Sequence, residues 1–185
     1  MKYKAVFLDR DGVINIDHAY VHKIEEFEFI DGVFEACQRF IEQGYKIVVV
    51  TNQSGIGRGY YDEAQFKALT DWMCAQFLDH NVKIDGVYYC PHHPKKAQPE
   101  YLVDCNCRKP HPGMLLQAIE EHNIDPTQSI MVGDKGSDME AATAAGVKTK
   151  VLVRSGQNLD ETDMSAADLV CESLSGVPDI VLKGA

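Results

Sequence analysis

Apolar residues come along this chain in two rhythms, short unbroken runs and stripes at helical spacing. The runs at 5–8, 46–50, 82–89, 129–132 and 150–153 predict strands buried on both faces. The stripes fall between them. Val33, Cys37, Phe40 and Ile41 predict a helix, with Gly44 as its stop. Phe66, Leu69, Met73 and Phe77 share one face of a longer helix from 62 to about 80, with Asp62 as N-cap. Pro112 begins a third helix carrying Leu115, Leu116 and Ile119. The alanine-rich 139–145 segment predicts a fourth, ending at Gly146. Past 153 one more strand and helix are expected. Strands alternating with helices predict an α/β fold, a doubly wound, Rossmann-like, mainly parallel sheet.

Two polar stretches break the alternation, 15–28 and 90–107. Both are long for connections in a compact domain, which points to functional loops. With no repeat, low-complexity segment or linker, the expectation is one domain over 1–185.

Composition narrows the function classes. The 185 residues are 45% hydrophobic and 25% charged, as in ordinary globular proteins, with a net charge of −10. That charge argues against a nucleic-acid partner. No apolar run approaches the roughly 20 residues that span a bilayer. Met1-Lys2-Tyr3-Lys4 leads straight into the first strand, so a signal peptide is not expected and a cytoplasmic, monomeric protein is. The six cysteines are then expected as thiols or metal ligands rather than disulfides.

Chemistry collects where strands end. In open α/β sheets ligands bind in the crevice at the carboxyl ends of the strands. Here those ends carry Asp9 and Asp11, Thr51 and Asn52, and Asp134 and Asp138, while Lys109 arrives from the loop before a helix. Two acids one residue apart at the tip of a buried strand repel each other, and a hard divalent cation such as magnesium would offset that.

Asp9-x-Asp11-Gly12, Thr51, Lys109 and Gly133-Asp134-x-x-x-Asp138, in that order, resemble the four motifs of the haloacid dehalogenase (HAD) superfamily of phosphohydrolases. The resemblance implies a role for each residue. Asp9 would be the nucleophile that forms an aspartyl-phosphate. Asp11 would protonate the leaving oxygen and then deprotonate the attacking water. Thr51 and Lys109 would hold phosphoryl oxygens. Mg2+ would sit between Asp9, Asp134 and the Asp11 backbone carbonyl, with Asp138 in an outer position. Lys135 is a further candidate for phosphate contact, and Gly136 is expected to weaken the start of the helix behind it. The loop lengths leave little room for the large cap domain that many members insert, so a capless member is expected.

Cys90-x-His92 and Cys105-x-Cys107 form two soft ligand pairs that suit one structural Zn2+, with His93 as the alternative to His92. Such a site would pin the 90–107 loop, whose end delivers Lys109. Capless, zinc-looped members of the superfamily form a small group, which the chain resembles in DRDGVIN, TNQSGIGRGYY, CPHHP, CNCRKPHPGM and VGDKGSDM.

The group implies a small phosphorylated substrate. One branch removes the 7-phosphate of a heptose bisphosphate in nucleotide-heptose supply for lipopolysaccharide, and the other acts on histidinol phosphate. A chain ending near 185 without a fused second enzyme favours the sugar. Arg108 is the first candidate for the second phosphate, ahead of Arg58, because a planar guanidinium suits it. Asp17, His18, Tyr20, Asn52, Gln53 and Ser54 are candidates for the sugar hydroxyls. A non-catalytic, zinc-stabilised interaction module is the alternative from another class.

Overall fold

The protein was analysed as a computed structural model that describes residues 1–182. The last three residues of the expected 1–185 span lie outside them. The sheet has six parallel strands, β1 (Lys4–Leu8), β2 (Tyr45–Asn52), β3 (Gly86–Cys90), β4 (Ile130–Gly133), β5 (Thr149–Val153) and β6 (Leu169–Cys171), in the order β3-β2-β1-β4-β5-β6. The expected doubly wound α/β sheet is therefore present. β1, β2 and β4, whose ends carry the acids and the threonine, lie side by side at its centre.

The apolar runs are continuous because both faces of the sheet are covered. Val6, Leu8, Ile47, Val49, Val132, Val151 and Val153 point into one core. There they meet α1 (Val33–Glu42) and α3 (Glu63–Asp79). Ala5, Phe7, Val48, Val50, Met131 and Leu152 point into the other, against α4 (Gly113–Glu121) and α5 (Gly136–Ala144). Phe66, Leu69, Met73 and Phe77 are the buried residues of α3. Its start is a capping box: the Asp62 carboxylate accepts from Gln65 N at 2.7 Å, and the Gln65 side chain accepts from Asp62 N at 2.9 Å.

Several expected boundaries move. β2 continues through Thr51 and Asn52, because both pair in register with Tyr89 and Cys90 of β3. A short helix, α2 (Ser54–Gly57), occupies what reads as a glycine-rich loop. β3 starts at Gly86 rather than 82, although Val82 is buried. α5 starts at Gly136, three residues before the alanine-rich segment. The expected weakness there is offset by the Asp163 carboxylate, which accepts from Gly136 N at 3.0 Å and would crowd any Cβ. After β5 the chain adds two short helices, α6 (Glu161–Ser165) and α7 (Val177–Val181), around β6.

Candidate active site

The sheet brings Asp9, Thr51, Lys109, Asp134 and Asp138 into one buried cluster. The Lys109 ammonium lies 2.6 Å from Asp138 Oδ1 and 3.0 Å from Asp9 Oδ1, and donates to the Val50 carbonyl at 2.9 Å. Burial works against its charge, but the Asp138 and Asp9 carboxylates outweigh burial and hold the ammonium protonated. Burial likewise disfavours an ionised Asp9, yet Lys109 keeps that carboxyl below the usual range. The hydrogen bonds to Asp9 fall on Oδ1, from Lys109 and from Arg10 N at 2.9 Å. Oδ2 accepts none among the described residues.

Asp138 is committed elsewhere. Its Oδ2 accepts from the backbone N–H groups of Asp134 and Lys135, both at 3.1 Å, and so fixes the turn after β4. Asp134 is the opposite case, because both its carboxylate oxygens are buried without a partner. Burial, with the charges of Asp9 and Asp138, pushes its carboxyl up to about 10. Ligand oxygens of Asp9, Asp134 and Asp138 lie within 4.8 Å of one another. Orphaned oxygens in a knot of carboxylates are what a divalent cation would compensate, and the donor set is hard oxygen. A Cβ at Gly12 or Gly156 would collide with the Asp134 carboxylate, so both positions admit the acid only as glycine. Gly12 also has φ +89°, which glycine adopts without strain. The Ser155 hydroxyl donates to the Gly12 carbonyl at 2.7 Å and ties the two segments together.

Asp11 stands at the rim of this knot. Its carboxylate accepts from Arg10 Nη2 at 2.9 Å, Asn15 Nδ2 at 3.0 Å and Gln53 Nε2 at 3.2 Å. Gln53 Nε2 also donates to Thr51 Oγ1 at 2.9 Å, and its Oε1 accepts from the Tyr61 hydroxyl. The Asn52 amide bridges to Lys109 in both directions. Its Oδ1 accepts from Lys109 N at 3.0 Å and its Nδ2 donates to the Lys109 carbonyl at 3.3 Å. The end of β2 thus holds the backbone of the residue whose side chain serves β1.

Beside the knot opens a cleft of about 320 Å³. Asp11, Asp17, Tyr20, Asn52, Gln53, Ser54, Arg58, Tyr61, Arg108 and Lys135 all line it. His18 is the exception among the expected sugar contacts: its exposed ring pairs with Glu28 at 3.5 Å instead. Asp17 lines the cleft but is engaged, accepting from Ala19 N at 3.0 Å and Gln157 Nε2 at 2.9 Å. Ala19 and Tyr20 both have left-handed backbone, φ 60° and 56°, so this loop stores strain beside the cleft. Arg108 Nη1 and Arg58 Nε are buried without partners, which leaves two guanidinium groups with hydrogen-bonding capacity to spare.

Cys90, at the end of β3, meets His92, Cys105 and Cys107 in a second cluster. The separations of 2.9–3.7 Å between their sulfurs and His92 Nδ1 lie inside the roughly 3.8 Å edge of a tetrahedron with zinc–sulfur bonds of about 2.3 Å. All of these thiols are free. Burial raises the Cys90 thiol. At Cys105 hydrogen bonds from Cys107 and from the backbone outweigh burial and lower the thiol to about 6. His92 rather than His93 faces the sulfurs. His93 Nδ1 accepts from the backbone of Lys95 and Lys96, at 3.0 Å each.

Arg10, Asn15, Tyr61, Ser155 and Gly156 complete the site and were not singled out from sequence. Arg10 and Asn15 lie within DRDGVIN and Tyr61 ends TNQSGIGRGYY, so these three had a signal, whereas Ser155 and Gly156 had none.

A family model described as HAD-hydrolase-like matches residues 106–177. The chain is 54% identical to D-glycero-beta-D-manno-heptose-1,7-bisphosphate 7-phosphatase of Pasteurella multocida (strain Pm70), covering 96% of each chain. It is also 54% identical to the Escherichia coli (strain K12) enzyme of that name, over 97% of this chain and 94% of the relative. Among solved structures it resembles D,D-heptose 1,7-bisphosphate phosphatase from B. bronchiseptica, complexed with magnesium and phosphate. That match has a TM-score of 0.83 and 32% identity, and covers 98% of this chain and 99% of the other. Identity at this level along nearly the whole chain leaves one conclusion. The chain belongs to the D-glycero-beta-D-manno-heptose-1,7-bisphosphate 7-phosphatase family of HAD-like hydrolases.

Proposed function

We propose that this chain removes the 7-phosphate of D-glycero-beta-D-manno-heptose 1,7-bisphosphate, a step in nucleotide-heptose supply. The observation that carries the reading is the join of the acidic knot, with its free Asp9 oxygen, to a cleft flanked by Arg108, Arg58 and Lys135. A bisphosphate needs both parts, one for the phosphoryl group that reacts and one for the phosphate that stays. The names of the relatives support the sugar and its beta anomer.

Asp9 Oδ2 attacks phosphorus in line, and the bond to the sugar oxygen breaks as Asp11 supplies that oxygen with a proton. Asp11, now a carboxylate, takes a proton from water as the water attacks phosphorus, and this releases phosphate and restores Asp9. Lys109 holds Asp9 in line, and with Thr51 it faces the phosphoryl oxygens as charge redistributes. Asp138 keeps Lys109 charged and the Asp134 turn fixed. Asp9, Asp134 and the Asp11 carbonyl would hold Mg2+, which offsets repulsion between the anionic nucleophile and the substrate. Cys90, His92, Cys105 and Cys107 would hold Zn2+ as a closed structural site.

The test is magnesium-dependent phosphate release from the two heptose bisphosphate anomers and from histidinol phosphate, with Asp9→Asn as the blank. Preference for the beta bisphosphate, with the 1-phosphate retained, is the expected result. Preference for histidinol phosphate would move the chain to the other branch of the group.

A further inference from the structure

Each acid of the Asp9-x-Asp11 pair has its own buried cation. Lys109 serves Asp9, and the residue between the acids serves Asp11. Arg10 is among the largest fully buried side chains of the molecule. Its Nη2 donates to Asp11 Oδ1 and to the Val21 carbonyl, both at 2.9 Å. Its guanidinium carbon lies 5.7 Å from the Phe27 ring and 6.0 Å from the Phe66 ring. Nε and Nη1 have no partner. Asp11 is the only carboxylate paired with it among the described residues. A cation this buried, with so little hydrogen bonding, is costly, and its one strong contact goes to a single side chain.

That contact fixes where Asp11 stands. Asp11 lines both the small cavity of Asp9, Lys109 and Asp138 and the larger cleft of Tyr20, Arg58 and Arg108. The bond to be broken crosses this boundary, with phosphorus on one side and the sugar on the other.

We infer that Arg10 is a positioning residue for proton transfer: with Asn15, it holds the Asp11 carboxylate at the boundary between the two cavities, where the leaving oxygen emerges. The inference rests on the role proposed for Asp11. It assigns Arg10 no contact with substrate. When the carbon–oxygen leaving group departs, its oxygen keeps the electron pair of the broken P–O bond and takes the proton held by Asp11. An aryl oxide is stable without that proton, whereas a sugar alkoxide is not. A misplaced Asp11 therefore slows the two substrates unequally.

The experiment compares Arg10→Met with the parent protein on heptose bisphosphate in the steady state and on p-nitrophenyl phosphate in the first turnover. Met fills the slot between Phe27 and Phe66 without charge. The expected loss is about 100-fold in kcat on the sugar, within the range general acid–base catalysis supplies, with KM little changed. The first-turnover release of nitrophenolate should stay within about threefold, because that step needs no protonation. Arg10→Lys should recover part of the sugar activity, since an ammonium keeps the charge but not the planar geometry. Equal losses on both substrates, or no loss on either, would overturn the inference. If Arg10→Met does not fold, Asn15→Ser decides it by removing another Asp11 donor and leaving the buried cation. It must show the same inequality, and a uniform loss overturns the idea. A parent protein that releases nothing from either substrate would instead count against the phosphatase reading.

Discussion

Two clusters of candidate metal ligands stand on either side of Arg108 in the chain, and they are held by different means. At the sheet edge, Asp9 and Asp138 share a lysine that is itself held by the Val50 carbonyl and, through its backbone, by Asn52. Strands on three sides make that placement rigid, so part of the countercharge is built in. In the 90–107 loop the thiols and His92 gather in a stretch whose one regular element is a single turn at Pro99–Tyr101. The contrast is between a cluster whose scaffold supplies a cation of its own and one that the proposed zinc would cross-link. Tying residue 90 to residue 107 by a metal would stabilise the fold by about 3 kcal/mol, by analogy with a disulfide closing a loop of similar length.

The comparison breaks most visibly at the sheet edge. Asp9→Asn is expected to lower phosphate release by at least about 1,000-fold, as the loss of a nucleophile does. It should leave the thermal midpoint within a few degrees, because Asp138 still pairs with Lys109. Phosphate release and calorimetry on one preparation check both halves, and substantial residual turnover would remove Asp9 as nucleophile.

The loop should respond the other way. Chelation of zinc, or Cys107→Ser, is expected to raise amide hydrogen exchange across 90–107 and to leave β1, β2 and β4 protected. Activity should fall by about tenfold, because the loop ends on Lys109 and misplacing a catalytic group costs rate. Full activity in protein shown by metal analysis to be zinc-free would contradict the proposed link.

Asn52→Ala separates the two regions without touching either knot. It removes both hydrogen bonds from β2 to the Lys109 backbone, and a loss of about 1–2 kcal/mol in stability is expected in denaturant titrations. A severalfold fall in kcat should accompany it.

The smallest effect concerns the outer anchor of the loop. The Glu63 carboxylate accepts from the Tyr89 and Tyr101 hydroxyls, and these bonds hold its carboxyl below the ordinary 4.5. A lowered carboxyl stabilises the fold fully above its unfolded pKa and loses that contribution as pH falls through the folded one. The melting difference between the parent and Glu63→Gln should therefore be largest near neutrality and vanish in acid. A difference that does not change with pH would show that the hydrogen bonds, not the charge, hold the loop.

The strand tips were legible because a sheet covered on both faces needs unbroken apolar runs, and each run stopped at its chemistry. The family motifs then supplied roles that spacing alone could not. What stayed hidden depended on distant partners. Nothing beside Arg10 in the sequence shows that it is buried, because Phe27 and Phe66 reach it from elsewhere in the chain. Gly156 is unremarkable until its backbone is found against Asp134. His92 and His93 are adjacent, so reach could not separate them. The backbone amides of Lys95 and Lys96 did, by engaging His93. The placement of His18, outside the cleft and beside Glu28, was hidden because polarity marks a loop as wet without saying which way a ring turns.

Only Arg108 separates Cys107 from Lys109, so the spacing between the loop knot and the sheet edge has no slack. The other arm of the loop has room for a change in length, because Val103 and Asp104 are exposed there. That arm is the natural place for a reporter dye or a spacer during engineering. A single residue added next to Arg108 would displace the reactive lysine by a full peptide unit.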